Sequence, residues 1–273
     1  VGCAAPVALF PGQSKYGCTG GFSTTEACDA ASHPAKSTKY VAAVHAGCET
    51  AQDRGVRGYS LDAGGSLRRC PPQTRYEWVL CPDSAQGPIT WQATRGRGND
   101  TVRRFRVSNR CREAVWIQQA GPRVLRHEQG IRRIEPDASY TYSIPNRGLS
   151  STRFLPKTGC DTSGNNCDVQ SMPPCPAWGC DLPIDTKFVA TWGCVYASGD
   201  PRTTAMQCAP AGPGELPLRQ DLWDAGVVQG WTLPFSVLVE GGGLLEGSCG
   251  DVVCSKLHVA NLCPHDELLT PEA

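Results

Sequence analysis

Sixteen cysteines, running from Cys3 to Cys263, constrain this 273-residue chain more than any other feature. The count is even and the spread covers the whole length, a density that a reducing cytosol does not support. Metal binding is the competing use of so many thiols. Cys249 and Cys254, and Cys175 and Cys180, are separated by four residues, and no Cys-x2-Cys or His-x3-His spacing occurs. The five histidines are scattered. Without a Cys-x2-Cys or His-x3-His pair, zinc is the less favoured reading. The cysteines therefore read as disulfides in an oxidising compartment, with no metal and no cofactor expected.

Lys and Arg balance Asp and Glu at 26 each, so no bulk charge favours nucleic acid. The balance is uneven, because residues 95–153 hold 13 Arg against 5 acidic residues. Solvated strand faces and loops are the plain reading of that excess, and an anion-binding surface is the sharper one. No apolar run approaches the ~20 residues of a spanning helix, and Val1 opens no signal-peptide pattern. The chain is read as processed, soluble and secreted, without a membrane span.

The hydrophobic pattern is mostly of period two. Short strands are expected over 75–81, 104–109, 114–118, 124–126, 131–134, 139–144, 152–155, 187–192 and 235–239, separated by Gly- and Pro-rich turns. Tyr40, Val41 and Val44 mark a short helix over 37–48. Residues 83–103 are polar and Gly-rich, long for a connection inside one domain. Many short strands with little helix imply an all-β sandwich or flattened barrel.

Specific motifs narrow this. The stretch Asp221-Leu222-Trp223-Asp224, a short apolar run, Gly230-Trp231 and Leu233-Pro234-Phe235 precedes Cys249, Cys254 and Cys263. Arg106 to Trp116 reads as an alternating strand, Asn109-Arg110-Cys111 and Val115-Trp116; Arg153-Phe154 precedes Cys160. At the front stand Cys18 to Cys28 (with Phe22, Thr24 and Glu26), Tyr59-Ser60-Leu61-Asp62, and Tyr76 to Cys81-Pro82. These segments resemble the thaumatin-like family, but in circularly permuted order. The resemblance implies a flattened β-sandwich with a disulfide-rich loop and short-helix subdomain. It divides the chain into a cysteine-rich subdomain with a short helix (1–58), closing strands (59–82), a connector joining the family's usual termini (83–103), and the main sandwich (104–273). The family order implies the bonds Cys81–Cys111, Cys160–Cys167, Cys175–Cys180, Cys70–Cys249, Cys48–Cys254, Cys3–Cys263 and Cys18–Cys28. Cys194 and Cys208 bracket an insertion, 195–207, that the family pattern lacks, and are expected to close it.

The family carries a cleft with one Arg and four carboxylates, associated with β-1,3-glucan binding and sometimes hydrolysis. By resemblance the cleft residues here are Arg153, Lys187, Asp224, Gln229 and Asp62. Lys187 and Gln229 stand where the family has Glu and Asp. Two facing carboxylates, one of them protonated, are the usual requirement for glycoside hydrolysis. Those two replacements remove negative charge and add a cation, so binding without catalysis is expected and a glucanase is the less favoured alternative. Trp178, Trp192, Trp223 and Trp231 are candidates for an apolar sugar platform, with core packing favoured for Trp116 and Trp223. Asn99-Asp100-Thr101 is a glycosylation sequon. The implied partner is a β-1,3-glucan-type polysaccharide. The alternative is an extracellular protein partner, with the chain as a monomeric scaffold, an assembly subunit or a hydrolase inhibitor.

Overall fold

In the computed structural model the described residues are 1–48, 56, 58–59, 68–83, 87–97, 100–121, 124–146, 148–168, 186–194, 220–241 and 249–269. Their strands are β1 (Gly2–Ala4), β2 (Arg68–Cys70), β3 (Arg75–Leu80), β4 (Thr94–Arg95), β5 (Thr101–Asn109), β6 (Val115–Ala120), β7 (Ile131–Ile134) and β8 (Ser139–Pro145). The later ones are β9 (Leu149–Lys157), β10 (Lys187–Cys194), β11 (Gln220–Gly226), β12 (Gly230–Trp231), β13 (Phe235–Glu240), β14 (Val252–Cys254) and β15 (Leu268–Leu269). The α-helices are short: α1 (Pro6–Leu9), α2 (Thr25–Asp29), α3 (Lys39–Gly47) and α4 (Val259–Leu262).

The strands form two six-stranded sheets, β2-β11-β10-β9-β6-β7 and β14-β13-β3-β5-β4, the latter with β8 paired to β5. Alternation decides which side chains lie between them. Phe154, Phe188 and Trp223 from the first sheet meet Tyr76, Trp78, Phe105 and Tyr142 from the second. Phe105 is the hub, with ring centroids 4.5 Å from Phe188, 4.7 Å from Phe154 and 5.5 Å from Trp192. The chain is thus predominantly β, a sandwich with an aromatic core.

One polar network crosses that core. Arg104 is buried and donates from both guanidinium nitrogens to the Asp221 carboxylate, with Nη1 also reaching the Thr74 carbonyl at 3.0 Å. Asp221 is fully buried and further accepts from the Tyr76 hydroxyl at 3.1 Å and the Gly193 amide at 2.7 Å. Two irregularities make this possible. The β5–β8 register shifts between Arg103 and Phe105, which turns Arg104 inward. The β10–β11 register shifts between Thr191 and Cys194, where Gly193 takes φ +54° and presents its N–H.

A smaller unit is built from both ends of the chain. β1 pairs with β12 and β15. Thr38 caps α3 by accepting from the Val41 amide at 3.2 Å, so the helix expected over 37–48 begins at Lys39. Tyr40, Val41 and Val44 are its buried face. Gly47 is needed for α3 to meet the chain entering α4, since a Cβ there would sit 2.7 Å from a Leu257 methyl. Residues 257–269, grouped with the sandwich in the sequence reading, lie outside both six-stranded sheets.

Six disulfides join the described cysteines: Cys3–Cys263, Cys18–Cys28, Cys48–Cys254, Cys70–Cys249, Cys81–Cys111 and Cys160–Cys167. Each is a pair that the family order implies. Cys175, Cys180 and Cys208 lie outside the described residues. Of the bonds spanning 179 to 260 residues, Cys3–Cys263 closes the small unit on itself, Cys48–Cys254 fastens the end of α3 to β14, and Cys70–Cys249 ties β2 to the residues before β14. In the chain-entropy treatment the first such closure contributes about 5 kcal/mol, and later ones less because the loops overlap.

Two sequence expectations need correction. Residues 124–126 form no strand. Leu125 is buried with its amide on the Gln119 side chain, and the following residues cap the edge of β8, His127 at the Ser143 carbonyl and Glu128 at the Ser143 amide. The stretch 83–103 is more than a polar connector. Ile89 and Trp91 pack on Val79 and Leu238 outside the second sheet, β4 pairs with β5, and β5 begins at Thr101.

Asp221→Ala is expected to cost about 3–5 kcal/mol, because it strands the Arg104 charge in the core. The double substitution Arg104→Met with Asp221→Leu should cost much less. Guanidinium unfolding without reductant measures both; equal costs would remove the ion pair from its place in the fold.

Candidate functional site

The sequence-derived cleft residues map onto the face of the first sheet turned away from the aromatic core. In β9, β10 and β11, Phe154, Phe188 and Ala225 are cross-strand partners and buried in the core. The next residue along each strand faces the other way. Val189 pairs with Arg153 on one side and Asp224 on the other, so these three form one transverse row. Two strand spacings separate Arg153 from Asp224 at the backbone, roughly 10 Å. Lys187 stands on the same face opposite Gly226. A Cβ on Gly226 would lie 3.7 Å from both the Asp224 carboxylate and the Lys187 side chain, so the two flank the gap this glycine leaves.

Gln229 completes the group through its side-chain carbonyl, which accepts a hydrogen bond from Lys187 Nζ. The loop carrying Gln229 is held by the small unit. Its backbone carbonyl accepts from the Ala5 amide at 2.9 Å, and the Val227 carbonyl accepts from the buried Tyr40 hydroxyl. The structure therefore assembles Arg153, Lys187, Asp224 and Gln229 on one face beside the small unit. Asp62 and Asn99 lie outside the described residues.

Exposure differs within the group. Lys187 is buried at 6% exposure, while Arg153, Asp224 and Gln229 are half-buried. Among the described residues the Arg153 guanidinium has no hydrogen-bond or ion-pair partner. Arg68 on β2 adds a cation that the sequence reading did not single out. Burial lowers its pKa, while the Asp224 and Asp251 charges oppose that shift. Asp224 thus shares its surroundings with the cations Lys187 and Arg68, and Arg153 stands two strands away in the same row. The arrangement suits binding of hydroxyl or cationic groups better than proton donation.

Among the described residues none of the tryptophans considered for an apolar platform lies on this face. Trp192, Trp223 and Trp231 are fully buried and belong to the core. Trp116 is nearly buried, with the Arg133 guanidinium 5.2 Å from its ring. Trp178 lies outside the described residues. Strand parity carried the warning, since Trp223 shares its face with Asp221 and not with Asp224.

Beside the anchor at Tyr40 lies a titrating group. Burial pushes the Glu267 carboxyl up from its ordinary 4.5 to about 7, with Asp266 adding to the rise and Lys39 opposing it. The Tyr40 phenol is raised well above its usual range by burial, and the Glu267 charge adds to this. A carboxyl raised in the folded state binds more protons folded than unfolded between these two values, so stability falls as pH rises through that window. Melting temperatures should decline between about pH 4 and about pH 8 in the wild type. In Glu267→Gln the decline should be smaller, with the two proteins alike at the acid end. Parallel profiles would remove Glu267 as the cause.

No protein-family model and no curated protein matches this chain.

Proposed function

We propose that the chain is a secreted, disulfide-stabilised protein of thaumatin-like fold in permuted order, which binds a β-1,3-glucan-type polysaccharide without hydrolysing it. The observation that carries the reading is the convergence of Arg153, Lys187, Asp224 and Gln229 on one face of the first sheet. The fold part is supported by the six disulfides, whose pairing is the one the family order implies. It is supported too by the parallel pairing of β3 with β5, whose adjacent ends carry Cys81 and Cys111. In the permuted reading these are the family's last and first strands, and 83–103 is the segment that links them.

The chemistry of the face supports recognition. A carboxylate, an amide and a free guanidinium offer acceptors and donors to sugar hydroxyls, pre-positioned on strands. Lys187 occupies a position where hydrolysis in the family would need an acid, and its ammonium disfavours a protonated carboxyl nearby.

A second reading is favoured by the buried tryptophans. Among the described residues no tryptophan is offered to a sugar on this face, which leaves its polar groups to make the contacts. The same scaffold could then serve as a durable extracellular interaction module with a degenerate cleft.

The test is retention on insoluble β-1,3-glucan, with cellulose and chitin as controls and Asp224→Ala alongside. The binding reading expects selective retention that Asp224→Ala weakens about tenfold, the loss of a charged hydrogen bond. No retention on any of the three would favour the interaction module.

A further inference from the structure

The arginine excess of the sequence gathers on the opposite side of the sandwich, on the outer face of the second sheet. Leu238, Glu77, Arg106 and Thr141 form one outward row across β13, β3, β5 and β8. Arg106 Nε donates to the Thr141 hydroxyl at 3.2 Å, and Arg103 Nε to the Thr141 carbonyl at 3.4 Å. Arg97 is exposed, and its amide binds the Ser143 hydroxyl at 2.8 Å. Arg132 lies over the Tyr140 ring at 3.6 Å. Three guanidiniums, those of Arg97, Arg103 and Arg106, thus stand about β8 on this face, with Arg132 of β7 at its edge and Arg95 exposed on neighbouring β4.

The nearby carboxylates offset part of this charge, but their hydrogen bonds go to other groups. Glu77 accepts from the Ser108 hydroxyl at 2.6 Å and the Trp91 ring N–H at 3.1 Å. Glu128 accepts from the Tyr140 hydroxyl and the Ser143 amide, with Arg132 no nearer than 3.9 Å. Asp100 accepts from the Asn146 amide at 2.8 Å. Among the described residues Arg97, Arg103 and Arg106 form no ion pair; burial lowers the Arg106 pKa, the Glu77 charge opposes that shift and the Arg103 charge adds to it. Holding like charges together without partners costs free energy, which an anionic ligand would return. Trp91 stiffens the patch, its ring being 4.8 Å from the Arg106 guanidinium and 5.7 Å from that of Arg75.

We infer that this face, centred on Thr141 and Ser143, binds a linear acidic polysaccharide carrying a carboxylate on each sugar, a uronic-acid polymer. The guanidinium fork matches a carboxylate in two parallel hydrogen bonds, and flat strands suit an extended chain. A strand spacing of about 4.8 Å between neighbouring cations is of the order of one sugar along an extended chain. Six disulfides also fit an extracellular polymer better than a nucleic acid.

The experiment is affinity electrophoresis of the full chain in gels containing polygalacturonate, with β-1,3-glucan gels and labelled duplex DNA as separate arms. Retardation by polygalacturonate that salt abolishes is the expected result. Arg97→Glu with Arg103→Glu should weaken it at least roughly tenfold. Arg110→Glu with Arg112→Glu, the same charge change at the far end of β5, should leave it within about twofold. Arg103→Gln alone, the mildest change, should weaken it about threefold while the melting temperature holds. Asp224→Ala should not affect this arm, which keeps the inference separate from the glucan reading. Failure of polygalacturonate to retard the protein would overturn the inference. So would equal losses in the two double variants, or tighter binding to DNA at matched salt.

Discussion

Arg104 and Asp221 form an ion pair inside a wall of aromatic rings, and both sheets are arranged to allow it. Two charges taken out of water are costly, and their attraction offsets the cost only when the remaining donors and acceptors are met. Here the Thr74 carbonyl, the Tyr76 hydroxyl and the Gly193 amide meet them. The pair joins β5 of one sheet to β11 of the other, which fixes how the sheets face each other. Because Asp221 is held inward, strand parity holds Asp224 outward, three residues on. The position of the candidate site follows from the ion pair in the core.

The two outer faces then diverge. On the first sheet Asp224 stands near Lys187 and Arg68, and the adjoining loop is tied to the small unit by β1, Ala5 and Tyr40. Long-range disulfides keep that unit in place where its short strands and four-residue helices would not. On the second sheet the covering includes Trp91, lodged between Arg75, which pairs with Glu240, and Arg106, which has no ion pair among the described residues. One sandwich thus offers a mixed polar row on one side and a cationic band on the other.

Much of this was legible in the residues. Period-two alternation at Phe105 and Val107 marks β5, and Thr38 before Tyr40, Val41 and Val44 marks α3. Those signals are local and need no knowledge of the partner. What escaped was non-local. Arg104 lies among exposed arginines in sequence and enters the core only through a bulge. Leu125 sits in an alternating run, but its amide goes to Gln119 and the run becomes an edge cap. Trp91 is surrounded by polar residues, and its burial depends on Val79 and Leu238 from distant strands. The family resemblance picks out Arg153 and Asp224, and core packing is favoured for Trp116 and Trp223. The burial of Lys187, Trp192 and Trp231 was not legible, because it depends on how the sheets stack.

The central claim is that a sugar-binding face lies across β9, β10 and β11. Titrating the isotope-labelled protein with a soluble β-1,3-glucan oligosaccharide and following its backbone amides tests this most directly. The account predicts saturable shifts confined to the neighbourhood of Arg153, Val189, Asp224 and Gln229, with the opposite face still. Shifts confined to other surfaces, or none at saturating sugar, would contradict it.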